Sequence, residues 1–530
     1  MIPAAPPAQN PISTSPVHAE SPSQVTEILE FARSYASERI NSRLIDDRRS
    51  LPPTLISDLA AAGLFGLRLE KRYGGRELPC CDFFRVMEQL GAIDPNVMLT
   101  VAVHNTVGIE PIRNYAHPDV KDHVLPQLAA GRIATVGSSE PGMGSHLNSM
   151  TTQARRTPEG DYVIDGAKCW ISLGGAAAYI NVFAQLIDAS ERQVGITGFV
   201  VDTTTPGFSV GQEAVTLGMR AVPQHELRLR GVRVGADRIL GAEGEGAAQA
   251  TDTFANTRAV LAACGLGTMK RCLQLAHRFA SRRTVATGNL AENGRTQLVL
   301  ADAVAATLAV EALVHHYADS IDAGTPPPQE VTLALKACGC ELLWDVVDRC
   351  TQILGARGYL DTNIVGQHFR DFRLFRLFEG ATDTVTAYLG WLTLAHPQHL
   401  RSWPLVTQSP TAHQALDHLA TLAARPRPGT RYRHLLAHFA GEITGWALTT
   451  AAAEARASKQ PSDITAYTAQ WCARNLTDRL RVADHTLHTN SHLPSLAAVT
   501  QQITQFRHTI ADIGGEAPGE NLRIDPLLHE

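Results

Sequence analysis

Three stretches of this chain hold residue types that could do chemistry. The first is Phe378-Glu379-Gly380, which closes the run Phe369-Arg370-Asp371-Phe372-Arg373-Leu374-Phe375-Arg376-Leu377. Glu379 is one carboxylate among apolar and basic neighbours, ahead of a helix-like segment. Apolar surroundings raise a carboxylate's proton affinity, and nearby cations hold it ionised. That balance suits a general base acting on a weakly acidic C–H bond. The second stretch is Ser138-Ser139-Glu140-Pro141-Gly142-Met143-Gly144-Ser145. Its glycines and hydroxyls let backbone N–H groups approach carbonyl or phosphate oxygens. It is neither the Gly-x-Gly-x-x-Gly of a nucleotide-binding unit nor a Walker loop. The third is Trp170-Ile171-Ser172 followed by Gly174-Gly175, where an indole could stack on a planar ring and a hydroxyl bond its edge. Taken singly, the three are equally compatible with a surface Glu-Gly pair, a plain glycine-rich loop and a core tryptophan.

The chain that must position them has 530 residues and a net charge of -5, with no large basic block, which argues against nucleic acid as a partner. No apolar run stands out as a bilayer span of ~20 residues. Residues 1–24, rich in Pro, Ala and Ser, lack the pattern of a secretory signal and read as a disordered tail. Nine scattered cysteines suit a reducing cytoplasm better than a disulfide framework. Cys338 and Cys340 read as small buried residues. No metal site is expected. His434 and His438 have ligand spacing but lack the Glu of a metalloprotease helix, and His485, His488 and His492 read as solvated or packed.

Hydrophobic periodicity divides the chain. Residues 25–135 repeat at three and four, as helices do; residues 136–245 alternate with period two, as strands do. From 246 to 395 the helical period returns in long segments near 250–283, 295–322, 328–354 and 382–394, predicting a four-helix bundle. Pro397, Pro404 and Pro410 mark 396–410 as a linker, and 411–530 reads as an extension of about four amphipathic helices. The fold class is therefore multidomain α+β: an N-terminal helical domain, a central β-barrel or sandwich, a C-terminal bundle and a helical extension.

Six motifs in register over about residues 25–395 resemble the acyl-CoA dehydrogenase flavoproteins. They are Ser139–His146, Trp170-Ile171-Ser172, Leu217-Gly218-Met219-Arg220, Gln352-Ile353-Leu354-Gly355-Ala356-Arg357-Gly358-Tyr359, Phe369-Arg370-Asp371 and Phe378-Glu379-Gly380-Ala381. The resemblance implies FAD-dependent α,β-dehydrogenation of an acyl thioester, carried on coenzyme A or an acyl carrier protein. Glu379 would take the α-proton while the β-hydride passes to flavin N5, leaving a trans-2-enoyl thioester. It further implies that Ser139 and Ser172 hydrogen-bond the flavin and Trp170 packs on it, with Ser145 near the flavin pyrophosphate or the thioester. Arg258 and Gly380 would lie at the substrate. Arg283, Gln352 and Gly355 would grip the adenine half of FAD from a neighbouring subunit, implying a homodimer or homotetramer. An electron-transfer flavoprotein or another acceptor would collect the electrons.

The chain departs from the family pattern in places. His146 replaces an Asp, Arg283 lacks the Phe and Gly that follow it in the family, and Gly294 stands at an expected Gln, with Gln297 a substitute. Ala356 replaces a Gly, and Ala381 replaces a Thr that Thr382 can replace in turn at the cofactor. Most changes fall on the adenine site. A flavin oxidase or monooxygenase and a flavin-free helical scaffold are the competing readings; Glu379 argues against the first. The extension resembles that of long-chain members and is read as a helical cap on a dimer.

Overall fold

The computed structural model describes residues 23–424, 429–488 and 493–510. The proposed tail before residue 23, His492 and the C-terminal residues from 511 lie outside them. The N-terminal domain comprises α1 (Ser23–Arg39), α2 (Ser42–Arg48), α3 (Leu55–Ala61), α4 (Cys80–Ile93), α5 (Pro95–Val103), α6 (Ile109–Tyr115) and α7 (Pro118–Ala129). The α5 sequence Pro-Asn-Val-Met-Leu-Thr-Val-Ala-Val is buried on every face, so this helix is the domain's centre. Asp94 starts it by accepting from the N–H groups of Asn96 (2.8 Å) and Val97 (3.0 Å), with Pro95 at the first helical position. A π-turn, His104–Gly108, joins α5 to α6. There the Nδ1 of His104 accepts from Ala134 N at 3.1 Å, leaving Nε2 protonated to donate to Phe65 O at 3.1 Å. Burial keeps this ring neutral, its pKa pushed down to about 4.

Eight strands follow: β1 (Ile133–Gly137), β2 (Gln153–Arg156), β3 (Tyr162–Ser172), β4 (Ala177–Ile187), β5 (Gln193–Asp202), β6 (Phe208–Ala214), β7 (Gln224–Val234) and β8 (Ile239–Leu240). They form one continuous sheet in the order β6-β7-β3-β2-β4-β5-β8, with β1 parallel to β4. The near-continuous apolar run of β4 matches its burial between neighbours.

The second helical domain has α8 (Gly246–Ala280), a small hairpin of β9 (Thr284–Val285) and β10 (Gly288–Asn289), α9 (Gly294–Asp322), α10 (Gln329–Ala334), α11 (Cys340–Leu354), α12 (Ile364–Phe372) and α13 (Thr382–Ala395). A second π-turn, Leu335–Gly339, joins α10 to α11. Helix α4 crosses α8 at two glycines: a Cβ on Gly91 would meet Cys264 O at 2.1 Å, and one on Gly267 would meet Glu88 O at 1.8 Å. Asp322, at the end of α9, caps α4 by accepting from Cys80 N (2.6 Å) and Cys81 N (2.9 Å). Helix α9 corrects one expectation, because its length and composition alone would let it cross a bilayer. It is a core helix here, packed by α8, α11 and two helices of the C-terminal extension, and Glu311 on it pairs with Lys270 and Arg456.

The extension contains α14 (Pro397–Arg401), α15 (Pro404–Thr407), α16 (Pro410–Ala423), α17 (Thr430–Lys459), α18 (Asp463–His488), α19 (Leu496–Gln505) and α20 (Arg507–Ile510). The linker expected over 396–410 is folded instead. Its prolines occupy the first turns of α14, α15 and α16, where a missing N–H costs no hydrogen bond. Helix α17 lies on α13 at another glycine pair. A Cβ on Gly441 would meet Thr386 O, and one on Gly390 would meet Ala437 O, each at 1.8 Å.

Candidate active site

Glu379 stands between α12 and α13, just after a short 3-10 turn, Arg373–Arg376. Its φ is 55° and that of Gly380 is 99°, two successive left-handed residues that turn the chain sharply before α13 begins. A Cβ on Gly380 would meet Val385 Cγ2 at 2.7 Å, so a side chain is excluded there on both grounds. Arg258 of α8 donates from Nε to the Glu379 carbonyl at 3.1 Å and fixes the turn. The carboxylate Oε2 of Glu379 is buried without a hydrogen-bond partner. Burial raises its pKa, and the charges of Arg258 and Lys336 pull it back only in part. Arg258, Glu379 and Gly380, singled out from sequence, are thus brought together. Thr382, at the first turn of α13, donates to Arg376 O at 3.3 Å.

The glycine-rich loop is fixed by a buried ion pair that the sequence reading did not assign. Glu140 Oε1 meets Lys168 Nζ at 2.8 Å and accepts from Thr152 N at 2.9 Å. Its Oε2 accepts from both Thr151 N and Thr151 Oγ1 at 2.6 Å. These partners hold the carboxyl down at about 2 although burial acts the other way. Burial lowers Lys168 to about 8 against the pull of Glu140. Ser139 accepts at its carbonyl from Cys169 N at 3.0 Å, tying the loop to β3. Ser145 and His146 are exposed on the loop's outer side.

Strand β3 breaks register with β7 between Lys168 and Ile171, a bulge that re-aims Trp170. Trp170 has φ 55° and is 60% exposed, a large indole presented outward rather than packed in the core. Beside it, Ser172 Oγ donates to Gln224 Oε1 at 3.1 Å, which holds the end of β3 to β7. Ser139, Trp170 and Ser172 therefore lie at the C-terminal ends of β1 and β3, and an exposed ring on a rigid bulge fits a planar aromatic ligand. Four non-glycine residues with positive φ, namely Trp170, Leu173, Met219 and Glu379, lie in or beside the motifs, where strain commonly marks function.

Two further motifs lock the domains together. Met219 N donates to Asp371 Oδ1 at 2.6 Å, and a Cβ on Gly218 would meet Arg370 backbone atoms at 2.6 Å. Buried Asp46 of α2 accepts from Arg370 Nη2 at 2.6 Å and Arg220 Nη1 at 3.3 Å. Asn96 Oδ1 accepts from Ala221 N at 2.9 Å. All three domains meet in this knot.

Arg283, Gln352 and Gly355 lie apart from the Glu379 turn, exposed at the ends of α8 and α11. The Arg357 guanidinium, 5.8 Å from the Phe279 ring, draws the 355–359 turn against α8, and Tyr359 is 92% exposed on it. Glu88, Glu311 and His315 come close enough to hold a cation, but Lys270 already bridges the two glutamates, 2.7 Å from Glu88.

A helical domain, a β-sheet domain and a helical bundle, joined around a buried carboxylate and an exposed indole, define a three-domain class. The family models described as Acyl-CoA dehydrogenase, N-terminal, middle and C-terminal domains match residues 23–132, 135–232 and 244–389. Cyclohex-1-ene-1-carbonyl-CoA dehydrogenase of Geobacter metallireducens is 30% identical over 374 residues, 70% of this chain and 97% of that protein. The chain belongs to the acyl-CoA dehydrogenase family. The mitochondrial very long-chain specific acyl-CoA dehydrogenase of Rattus norvegicus is 31% identical over 350 residues, 65% of this chain. This match spans only 53% of that relative's length, so the chain covers about half of it. Among solved structures, butyryl-CoA dehydrogenase of Megasphaera elsdenii is 26% identical with a TM-score of 0.67, covering 71% of this chain and 100% of that one. An acyl-CoA dehydrogenase of Bacillus anthracis, complexed with FAD, shares the fold at 20% identity and a TM-score of 0.78. That likeness covers 92% of this chain and 91% of the other, which takes in helices of the extension.

Proposed function

We propose that this protein is an FAD-dependent dehydrogenase of acyl-CoA thioesters, in which Glu379 removes the α-proton. The observation that carries the reading is the buried, unpartnered Oε2 of Glu379, set by two left-handed residues beside Arg258 and Lys336. A carboxylate with raised proton affinity, yet flanked by cations, is matched to a weakly acidic C–H next to a thioester. The Glu379 N–H is a candidate donor to the thioester carbonyl, where negative charge develops as the proton leaves. Ser139, Ser145, Trp170, Ser172 and Thr382 would hold the flavin end of FAD. Arg283, Gln352 and Gly355, exposed away from their own Glu379, would serve the adenine end in a second copy of the chain, which would make a homodimer the smallest active unit. FAD, when bound, accepts the β-hydride and so supplies the redox chemistry. An electron-transfer flavoprotein is the proposed acceptor of its electrons. Nine unpaired cysteines support a reducing, cytoplasmic setting.

The test is the visible spectrum of the purified protein under anaerobic titration with acyl-CoAs of graded chain length. Bleaching of the yellow protein by one of them is expected. Glu379→Gln should keep the yellow colour and lose bleaching by at least about a hundredfold in rate, the usual scale of general-base catalysis. Undiminished bleaching in that variant removes Glu379 as the base. A colourless protein that takes up no added FAD overturns the flavin reading itself.

A further inference from the structure

Resting on the role of Glu379 proposed above, we propose that Lys336 is a positioning residue for that base. Its ammonium ties down the turn that carries Glu379, and its positive charge favours the ionised carboxylate before substrate enters. Lys336 lies in the π-turn Leu335–Gly339, a rare helical irregularity frequent at functional sites. Its side chain is fully buried, at 0% exposure. The Nζ donates to Phe375 O, four residues before Glu379, and lies 5.8 Å from the Phe378 ring centroid. It makes none of the ion pairs found among the described residues; burial lowers its pKa, Arg258 adds to that, and Cys340, Glu379 and Glu341 act to keep the proton on it.

Burying a cation this way is unfavourable unless something nearby offsets it. A carbonyl, an aromatic face and the Glu379 charge are what the site offers. A lysine serving only to fill space would be replaceable by methionine with a gain in stability. Two effects therefore meet in one side chain. The hydrogen bond to Phe375 O holds the 3-10 turn before Glu379, and the Arg258 bond holds the Glu379 carbonyl itself. The charge adds to that of Arg258 in opposing the desolvation of Glu379.

The experiment compares Lys336→Met, Lys336→Gln and Lys336→Arg with the parent holoenzyme, using the acyl-CoA that bleaches it. The acid limb of kcat/KM against pH reports the free enzyme's base. Loss of the lysine charge should move that limb upward by on the order of one pH unit, about fivefold in kcat/KM at the parent's half-maximal pH and approaching tenfold below it, with recovery at higher pH. Lys336→Arg should restore the limb. Lys336→Gln removes the charge and keeps an N–H donor on a side chain one bond shorter, so it reads the electrostatic effect even where the methionine variant folds poorly. A second readout is independent of turnover. The melting-temperature gap between the parent and Glu379→Gln opens at the carboxyl's unfolded pKa and levels off at its folded one, and that levelling-off pH should rise in the Lys336→Gln background. An unmoved limb and an unmoved levelling-off pH in Lys336→Gln overturn the inference. Undiminished turnover in Glu379→Gln alone, by contrast, condemns the base assignment rather than the lysine.

Discussion

Glu140 and Lys168 show how one buried ion pair sets the shape of a loop that carries other chemistry. Glu140 directs its oxygens to Lys168, Thr151 and Thr152, leaving the Ser139 hydroxyl and the glycines free to face a ligand. Removing the cation strands a buried carboxylate. Lys168→Met is expected to cost about 3–5 kcal/mol, read as a lower denaturant midpoint, and Glu140→Gln in the same chain should recover part of it. Because the Glu140 pKa is depressed to about 2 in the folded protein, the stability it confers is present above the unfolded value of ~4.3 and is lost as pH falls toward 2. Glu379 was legible in the sequence because its apolar and basic neighbours are adjacent in the chain. Lys168 and Lys336 were not: their partners lie 28 and 39 residues away, and a lysine in an alternating strand or a helix looks like an exposed one. The knot formed by Asp46 and Asn96 was missed for the same reason.

Among the elements, α13 couples the site to the extension, because it starts two residues after Gly380 and lies against α17 at Gly390 and Gly441. The extension therefore braces the helix that follows Glu379. Gly441→Leu must push α13 and α17 apart, since even a Cβ would sit 1.8 Å from Thr386 O. A loss of about 3 kcal/mol or more is expected from overpacking, seen as a fall in melting temperature, with kcat reduced through the displaced turn. Helix periods and the change to period two located nearly every long element, because burial of one face imposes those periods. The 396–410 stretch was misread because proline at the first helical position has the same signature as proline in a linker. Glycine crossings such as Gly390 with Gly441 have no local pattern; each partner looks like an unfavourable residue inside its own helix.

For the whole molecule, the sheet domain is held between two helical domains by the Leu217–Arg220 and Phe369–Asp371 motifs. Asp371 lies at the centre, buried, its pKa raised to about 7 chiefly by desolvation, with Asp94 and Asp46 adding repulsion. A folded pKa above the unfolded value of ~3.9 means that the folded state holds the proton more tightly. That contribution to stability is complete below pH ~4 and declines as pH rises to about 7. Asp371→Asn should remove this decline. Its melting temperature should match the parent's near pH 4 and exceed it by several degrees at pH 8, measured by thermal unfolding across pH. A larger parent stability at pH 8 would mean that the Met219 N–H requires the charged oxygen. The three-domain order was legible as a pattern of motifs in register; the residues that clamp the domains together were legible only as members of those motifs.

The contact between Asp46 and Arg370 joins residues 324 positions apart. At a synthesis rate of roughly 5–20 residues per second, the ribosome makes that stretch in roughly 15–65 seconds. For the first part of that interval Asp46 and Asn96 stand without counterparts on a surface meant for two later domains; Ala221 follows Asn96 by 125 residues, Arg220 follows Asp46 by 174, and Arg370 comes only at the end. Nascent chains of this protein thus have a long window in which that seam is open to chaperones, proteases and wrong partners. Emergence of the Phe369–Asp371 motif, rather than completion of the first domain, is the moment at which this seam can close.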